Sequence, residues 1–125
     1  MIDHIGIPVT DIEKARAFYD KALAPLGLRR MMDLTAEQVG KPSSGYGDGK
    51  RFSFWINQES VLPLHFAFIA ENRAAVDDFY KAAIAAGGKD HGAPGLRPHY
   101  HKDYYGAFVI DADGHNVEAV CRQPE

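Results

Sequence analysis

The sequence predicts an α+β domain made of two copies of one strand–helix–strands unit. The prediction rests first on an internal repeat. His4-Ile5-Gly6-Ile7 and His65-Phe66-Ala67-Phe68 share the order His, apolar, small, apolar at an offset of 61 positions. At the same offset Phe18-Tyr19 falls on Phe79-Tyr80, Leu23 on Ile84 and Gly27 on Gly88, with no gap. It rests second on periodicity, because each copy opens on a residue-by-residue alternation and passes into a helical stripe. Two copies of this kind read as a two-module domain rather than a repeat array. At 125 residues the chain has the size of a single domain. Module 1 spans 1–58 and module 2 spans 64–122.

Composition narrows the classes of function. Net charge is −3 with histidine neutral, which leaves no basic footprint for nucleic acid and no Lys/Arg cluster for a membrane surface. No apolar run reaches the length of a membrane span. The start shows no basic region followed by an apolar stretch, so no signal peptide is visible. Cys121 is the lone cysteine. It excludes an internal disulfide framework, fits a reducing cytoplasm, and packs within an apolar strand.

In chain order, residues 2–9 alternate, with Ile5, Ile7 and Val9 on one face and Ile2, His4, Gly6 and Pro8 on the other: a strand. Thr10 and Glu13 form a capping box. A helix follows to about Ala24, with Ile12, Ala15, Phe18, Tyr19, Ala22 and Leu23 as its apolar stripe. Pro25 and Gly27 end it. Residues 28–34 read as a second strand. Residues 35–50 read as a loop with a short strand around 44–46, closed by the turn Gly47-Asp48-Gly49-Lys50. Residues 51–57 form a strand with Phe52, Phe54 and Ile56 on one face and Ser53, Trp55 and Asn57 on the other. Gln58–Pro63 links the halves.

The second half repeats the plan. A strand over 64–70 leads to Asn72 as N-cap and to a helix carrying Val76, Phe79, Tyr80, Ala83 and Ile84 inward, stopped by Gly87-Gly88. Residues 89–103 read as a polar loop holding His91, His99 and His101. A strand over 104–110, a turn at Asp111-Ala112-Asp113-Gly114 and a closing strand over 116–122 complete the chain. His115, in that turn, points to solvent on this reading. One helix covers one face of each sheet, and His4, His65 and Glu118 fall on the faces left open.

Two histidines and a carboxylate on open faces suit a divalent ion. Imidazole with carboxylate fits Fe, Mn, Co, Ni or Zn, and three protein ligands leave positions for water or substrate. The repeat adds weight, since His4 and His65 hold equivalent positions that a pseudo-twofold would bring together.

These residues carry a family resemblance. Asp3-His4-Ile5-Gly6-Ile7-Pro8-Val9, Ala17-Phe18-Tyr19, Leu64-His65-Phe66-Ala67-Phe68 and Asp111-Ala112-Asp113-Gly114-His115-Asn116-Val117-Glu118 resemble the vicinal oxygen chelate superfamily. That superfamily includes glyoxalase I, extradiol dioxygenases, methylmalonyl-CoA epimerase, and the fosfomycin and bleomycin resistance proteins. The resemblance implies paired βαβββ modules forming curved mixed sheets around a cavity. It implies His4, His65 and Glu118 as metal ligands, and a metal that binds vicinal substrate oxygens and stabilises an oxyanion or enolate.

The pattern departs from two subfamilies. Glyoxalase I-type enzymes use a further glutamate, as base, on the first-half strand equivalent to that of Glu118. Counting from the Asp-Gly turns puts Ser53 there, and the strict offset puts Asn57 there; neither is a glutamate. The extradiol signature matches at Asp111, Asp113-Gly114 and Glu118, with His99 and His101 both in range. However, Phe108 replaces its tyrosine and Ala112 its proline. Tyr104 and Tyr105 are the hydroxyls near that gap.

The loop at 95–105 is dense in functional side chains. His99 and His101 share a side of an extended chain and suit acid/base work, with Tyr104 beside them as a catalytic candidate; a solvated surface loop is the plain alternative. Arg97 suits an anionic group, and Tyr105 a substrate contact. Trp55, on the open face, is a substrate platform or plain packing. The expected protein is a metal-dependent small-molecule enzyme, lyase or isomerase first and ring-cleaving dioxygenase second, with a non-catalytic drug-binding or resistance module as the rival. A homodimer is expected.

Overall fold

The structure is a computed structural model that describes residues 1–125. Eight strands and three helices form two four-stranded mixed sheets. Module 1 contains β1 (Ile5–Val9), α1 (Ile12–Ala22), β2 (Arg29–Leu34), α2 (Ala36–Val39), β3 (Ser43–Gly47) and β4 (Phe52–Gln58). Module 2 contains β5 (His65–Ile69), α3 (Arg73–Ala85), β6 (Lys89–Leu96), β7 (Tyr105–Ile110) and β8 (Asn116–Cys121). The sheet orders are β1-β4-β3-β2 and β5-β8-β7-β6, so the two halves share one topology. In each sheet the first strand runs parallel to the last, and the remaining pairs are antiparallel.

The helix ends follow local chemistry. Asp11, not Thr10, caps α1: its carboxylate accepts from the amides of Glu13 and Lys14. The helix stops at Ala22, one 3-10 turn follows over Ala24–Leu26, and Gly27 closes it at φ 79°. Asn72 caps α3 through the Ala75 amide. Two segments read as loop are ordered. Residues Ala36–Val39 form a short helix, with the Gln38 side chain reaching back to the Thr35 amide. Residues Lys89–Leu96 form β6. Its alternation is hidden by Gly92, Pro94 and Gly95, where the register with β7 shifts.

Both helices lie on one side of their sheets. Ile7, Val9, Phe54 and Ile56 from sheet 1 join Val109, Val117, Ala119 and Cys121 from sheet 2 in a single buried cluster with α1 and α3. Each fully buried aliphatic or aromatic side chain contributes about 1.5–3 kcal/mol. The modules meet directly there: the Phe54 ring lies 5.5 Å from Phe66 and 5.1 Å from Phe68. Because the helix-covered faces share one core, the uncovered faces turn away from each other. No helix is long and apolar enough to cross a membrane.

Two buried polar groups tie the modules together. The Tyr19 hydroxyl on α1 donates to Asp111 at 2.6 Å, and burial, then the nearby Asp111 charge, pushes its pKa up. His115 does not point to solvent; it is 0% exposed. The Leu64 amide donates to its Nδ1 at 2.9 Å, so Nε2 carries the proton and donates to the Pro8 carbonyl at 2.6 Å. One imidazole thus joins β1 of module 1 to the start of module 2. Removing it takes the partner from a part-buried amide and a part-buried carbonyl and leaves a cavity where a fully buried ring stood. His115→Ala should therefore lose about 2–4 kcal/mol in urea unfolding at fixed protein concentration. A loss below about 0.5 kcal/mol would mean the bridge carries no structural weight.

Candidate metal centre

The open face of sheet 2 holds a hollow lined by His65, Tyr100, Tyr104, Phe108, Glu118 and Arg122. Its centre is a carboxylate and an imidazole. Glu118, on β8, is 2% exposed, and its Oε1 lies 3.2 Å from His65 Nε2. His65 Nδ1 lies 3.0 Å from the Asn116 carbonyl oxygen. A carbonyl only accepts, so Nδ1 carries a proton and donates it. In the neutral ring, Nε2 then presents a lone pair to a carboxylate oxygen. Two acceptors facing each other require a proton or a cation between them. Imidazole and carboxylate are donor types that divalent ions take, and the backbone carbonyl fixes the ring orientation as second-sphere partners do; the pair supplies two of the donors such an ion needs.

Tyr104 holds the other side of the carboxylate. Its hydroxyl donates to Glu118 Oε2. Burial, and then the hydrogen bond to the carboxylate, pushes its pKa up to about 12. The Arg122 guanidinium lies 4.8 Å from the centre of the Tyr104 ring, and Tyr100 packs edge-on against that ring at 5.1 Å. Arg122 and Tyr100 are pocket residues that the sequence reading missed. For Arg122 the signal was present: it falls four residues beyond Glu118 on the same alternation.

His4 is elsewhere. It lines a separate hollow on the open face of sheet 1, with Gly6, Leu34, Val39, Lys41, Ser43, Trp55 and Asn57. Its Nδ1 lies 2.7 Å from the Asp3 carboxylate, leaving Nε2 free. Asp3 is held below the usual carboxylate range by that bond first, and then by the Arg51 charge. The pseudo-twofold therefore does not join His4 to His65 and Glu118 within one chain. The modules pack helix side to helix side, which puts the histidines on outward faces. No group of three or more His, Cys, Asp or Glu side chains gathers within the chain in a way that could hold an ion.

Strand register corrects the position of the fourth donor. Gly6 pairs with Trp55, and Ala67 pairs with Glu118. Gly6 and Ala67 are equivalent in the repeat, so Trp55 is the counterpart of Glu118. Ser53 and Asn57 lie two residues to either side. Asn57 is also engaged, since its Oδ1 accepts from the Ser43 hydroxyl at 2.8 Å.

Several loop candidates lie outside the hollow. His99 and His101 are exposed, and Tyr100, between them, is the residue that lines it. His99 packs on the Tyr100 ring at 4.2 Å, while His101 Nδ1 accepts from the Asp103 amide and closes a turn. Arg97 is committed to its own hairpin: it donates to the carbonyls of Gly95 and Ala93 at 2.8 Å and lies over Phe108. Tyr105 turns to the helix side, where its hydroxyl donates to Asp77 on α3 at 2.6 Å. That bond, then burial, pushes it up to about 12. The geometry around Tyr104 gives an expected outcome. In ¹³C-tyrosine NMR titrations of the metal-free protein, Glu118→Gln should bring the Tyr104 phenol down from about 12 toward its ordinary value while Tyr105 stays at about 12. An unchanged Tyr104 would show that the carboxylate contributes nothing to it.

The comparisons agree with this architecture. The sequence model of the Glyoxalase/Bleomycin resistance protein/Dioxygenase superfamily matches residues 1–119. Comparison with curated proteins gives no match. Among solved structures, a glyoxalase/bleomycin resistance protein from Albidiferax ferrireducens is 25% identical, with 99% of each chain covered and a TM-score of 0.81. Lactoylglutathione lyase from Agrobacterium tumefaciens is 19% identical over 97% of this chain and 92% of its own, with a TM-score of 0.70. A glyoxalase I variant from Zea mays is 21% identical; 95% of this chain matches 46% of that one, with a TM-score of 0.71. With two βαβββ modules, their open faces and a family match across nearly its whole length, this chain belongs to the glyoxalase/bleomycin resistance protein/dioxygenase superfamily.

Proposed function

We propose that the chain is a metal-dependent small-molecule enzyme of the vicinal oxygen chelate type, acting first as a glyoxalase-like lyase or isomerase. The observation that carries this reading is His65 Nε2 facing the buried carboxylate of Glu118 at 3.2 Å. Two such groups are held together by a proton or by a cation between them, and a divalent ion fills the second role. His65 and Glu118 would hold a divalent ion of the Fe, Ni, Zn, Mn or Co group, with His4 as third ligand. When bound, such an ion supplies Lewis-acid stabilisation to adjacent substrate oxygens.

Because His4 faces away from the other two, we assign the complete centre to a homodimer in which the open face of module 1 meets the open face of module 2 of a second copy. Exposed apolar side chains support this contact. Ile2 and Leu62, which precede β1 and β5, and Ile69, which ends β5, are 80%, 79% and 87% exposed, and both strands lie at an edge of their sheets. Each twofold contact would generate two such centres.

The remaining pocket residues have separable roles. Tyr104 fixes the Glu118 carboxylate and excludes water from it. Arg122, rather than Arg97, presents a cation to an anionic part of the substrate. Phe108 gives an apolar wall. A second reading, ring-cleaving oxygenation, is favoured by Trp55 standing where a glyoxalase I-type base would be. It also fits a set of two histidines and one carboxylate. A single buried cysteine fits a cytoplasmic site of action.

Elemental mass spectrometry of the purified protein tests the ligands. We expect near-stoichiometric divalent metal per chain, lost in His65→Ala prepared identically. Iron would direct assays to catechols with oxygen, and nickel, cobalt, zinc or manganese to isomerase and lyase substrates. A protein that stays empty after incubation with each metal would overturn the assignment and leave the non-catalytic binding module.

A further inference from the structure

His65 does not hold its own pose. It opens β5, an edge strand, and its side chain is 52% exposed. Packing around it is thin: the Phe108 ring lies 6.2 Å away, tilted by 31°. An exposed imidazole at a strand end turns between rotamers unless hydrogen bonds hold it. The ring nevertheless stands with Nε2 toward Glu118.

Two consecutive residues set that pose. His115 Nδ1 accepts from the Leu64 amide at 2.9 Å, and the Asn116 amide donates to the Leu64 carbonyl at 2.8 Å. The Asn116 carbonyl accepts from His65 Nδ1 at 3.0 Å. The three bonds engage both backbone groups of the residue before His65 and the His65 ring itself. His115 is in turn anchored. Its Nε2 donates to the Pro8 carbonyl at 2.6 Å, and its amide donates to Asp111 Oδ1 at 2.8 Å. Asp111 Oδ2 accepts from the Tyr19 hydroxyl on α1 at 2.6 Å. Leu64 needs an acceptor and Pro8 needs a donor, and a neutral imidazole offers one of each on a rigid ring.

We propose that His115 is a positioning residue for His65, holding it through the Leu64 amide in one orientation and one tautomer, with Nδ1–H toward Asn116 and Nε2 toward Glu118. The use of this pose rests on the metal-centre reading above; the pose itself does not. Fixing the backbone of Leu64 keeps His65 Nδ1 within reach of the Asn116 carbonyl, and that bond decides which ring nitrogen carries the proton. Module 1, which supplies Pro8 and Tyr19, thereby helps to set one atom in the hollow of module 2.

Nitrogen-15 NMR of the full-length, metal-free protein tests this, with two variants that divide the bridge. In the parent, a coupling across the hydrogen bond from the Leu64 amide to His115 Nδ1 is expected. The neutral His65 ring should carry its proton on Nδ1 rather than Nε2 by about fivefold or more. His115→Asn keeps an acceptor oxygen near the place of Nδ1 for Leu64 and gives up Pro8. His115→Gln reaches toward Pro8 and gives up Leu64. Both lose the ring, so both should unfold at lower urea. The His65 proton ratio should stay within about twofold of the parent in His115→Asn and fall to about one in His115→Gln. Equal shifts in the two variants would mean that the ring follows lost stability, and an unchanged ratio in His115→Gln would mean that His115 does not set it; either result overturns the proposal. A proton on His115 Nδ1 in the parent overturns it as well, and decides the matter if a variant fails to fold. Cobalt(II) affinity by chelator competition, read separately, should fall about tenfold in His115→Gln and less than about threefold in His115→Asn. A parent that takes no cobalt would end the metal-centre reading, and the proton ratios would still decide the role of His115.

Discussion

Phe54 of module 1 packs against both Phe66 and Phe68 of module 2, and much else depends on that contact. Each module has one long helix for a sheet with two faces. The helix covers one face, and the covered faces of both modules merge into one core around these rings. Burial there is the large favourable contribution, and it leaves no second apolar layer for the other faces. Those faces carry His4 and Trp55 on one side and His65, Glu118 and Tyr104 on the other. The packing that stabilises the chain thereby separates the residues that the chemistry would combine.

The same separation gives the polar residues distinct tasks. Asp111 and His115 are buried between the modules and bond within the chain: Asp111 accepts from Tyr19, and His115 spans Leu64 and Pro8. Glu118 is just as buried, yet one of its oxygens faces His65 Nε2 at 3.2 Å on the open face of the sheet.

The fold was legible in the sequence because the two modules repeat. The offset that joins His4 to His65 also joins both helices, and alternation assigned Ile7 and Val9 to a covered face and Glu118 to an open one. What escaped was what periodicity does not encode. β6 was hidden by glycines and a proline at its bulges. Asp11 competed with Thr10 for the same cap. The loop histidines looked functional by type, but the turn at 99–101 aims Tyr100, not its neighbours, into the hollow. The donor-position error has a specific cause. Spacing between β1 and β4 differs from that between β5 and β8, so neither a fixed offset nor the Asp-Gly turns locate the counterpart of Glu118; only strand pairing identifies Trp55. The candidate ligands could be named from the residues, whereas their distribution over two outward faces depends on how the modules pack.

The central claim is that one centre draws His4 from one chain and His65 with Glu118 from another. Mixing tests it most directly. His4→Ala and Glu118→Ala chains, each unable to bind metal alone, would be unfolded together in equal amounts and refolded. Random pairing makes half the dimers mixed, and each mixed dimer carries one intact and one doubly defective centre. The account predicts that metal returns to about one quarter of the sites. A mixture as empty as its two parents, measured on protein that light scattering shows to be dimeric, would contradict it.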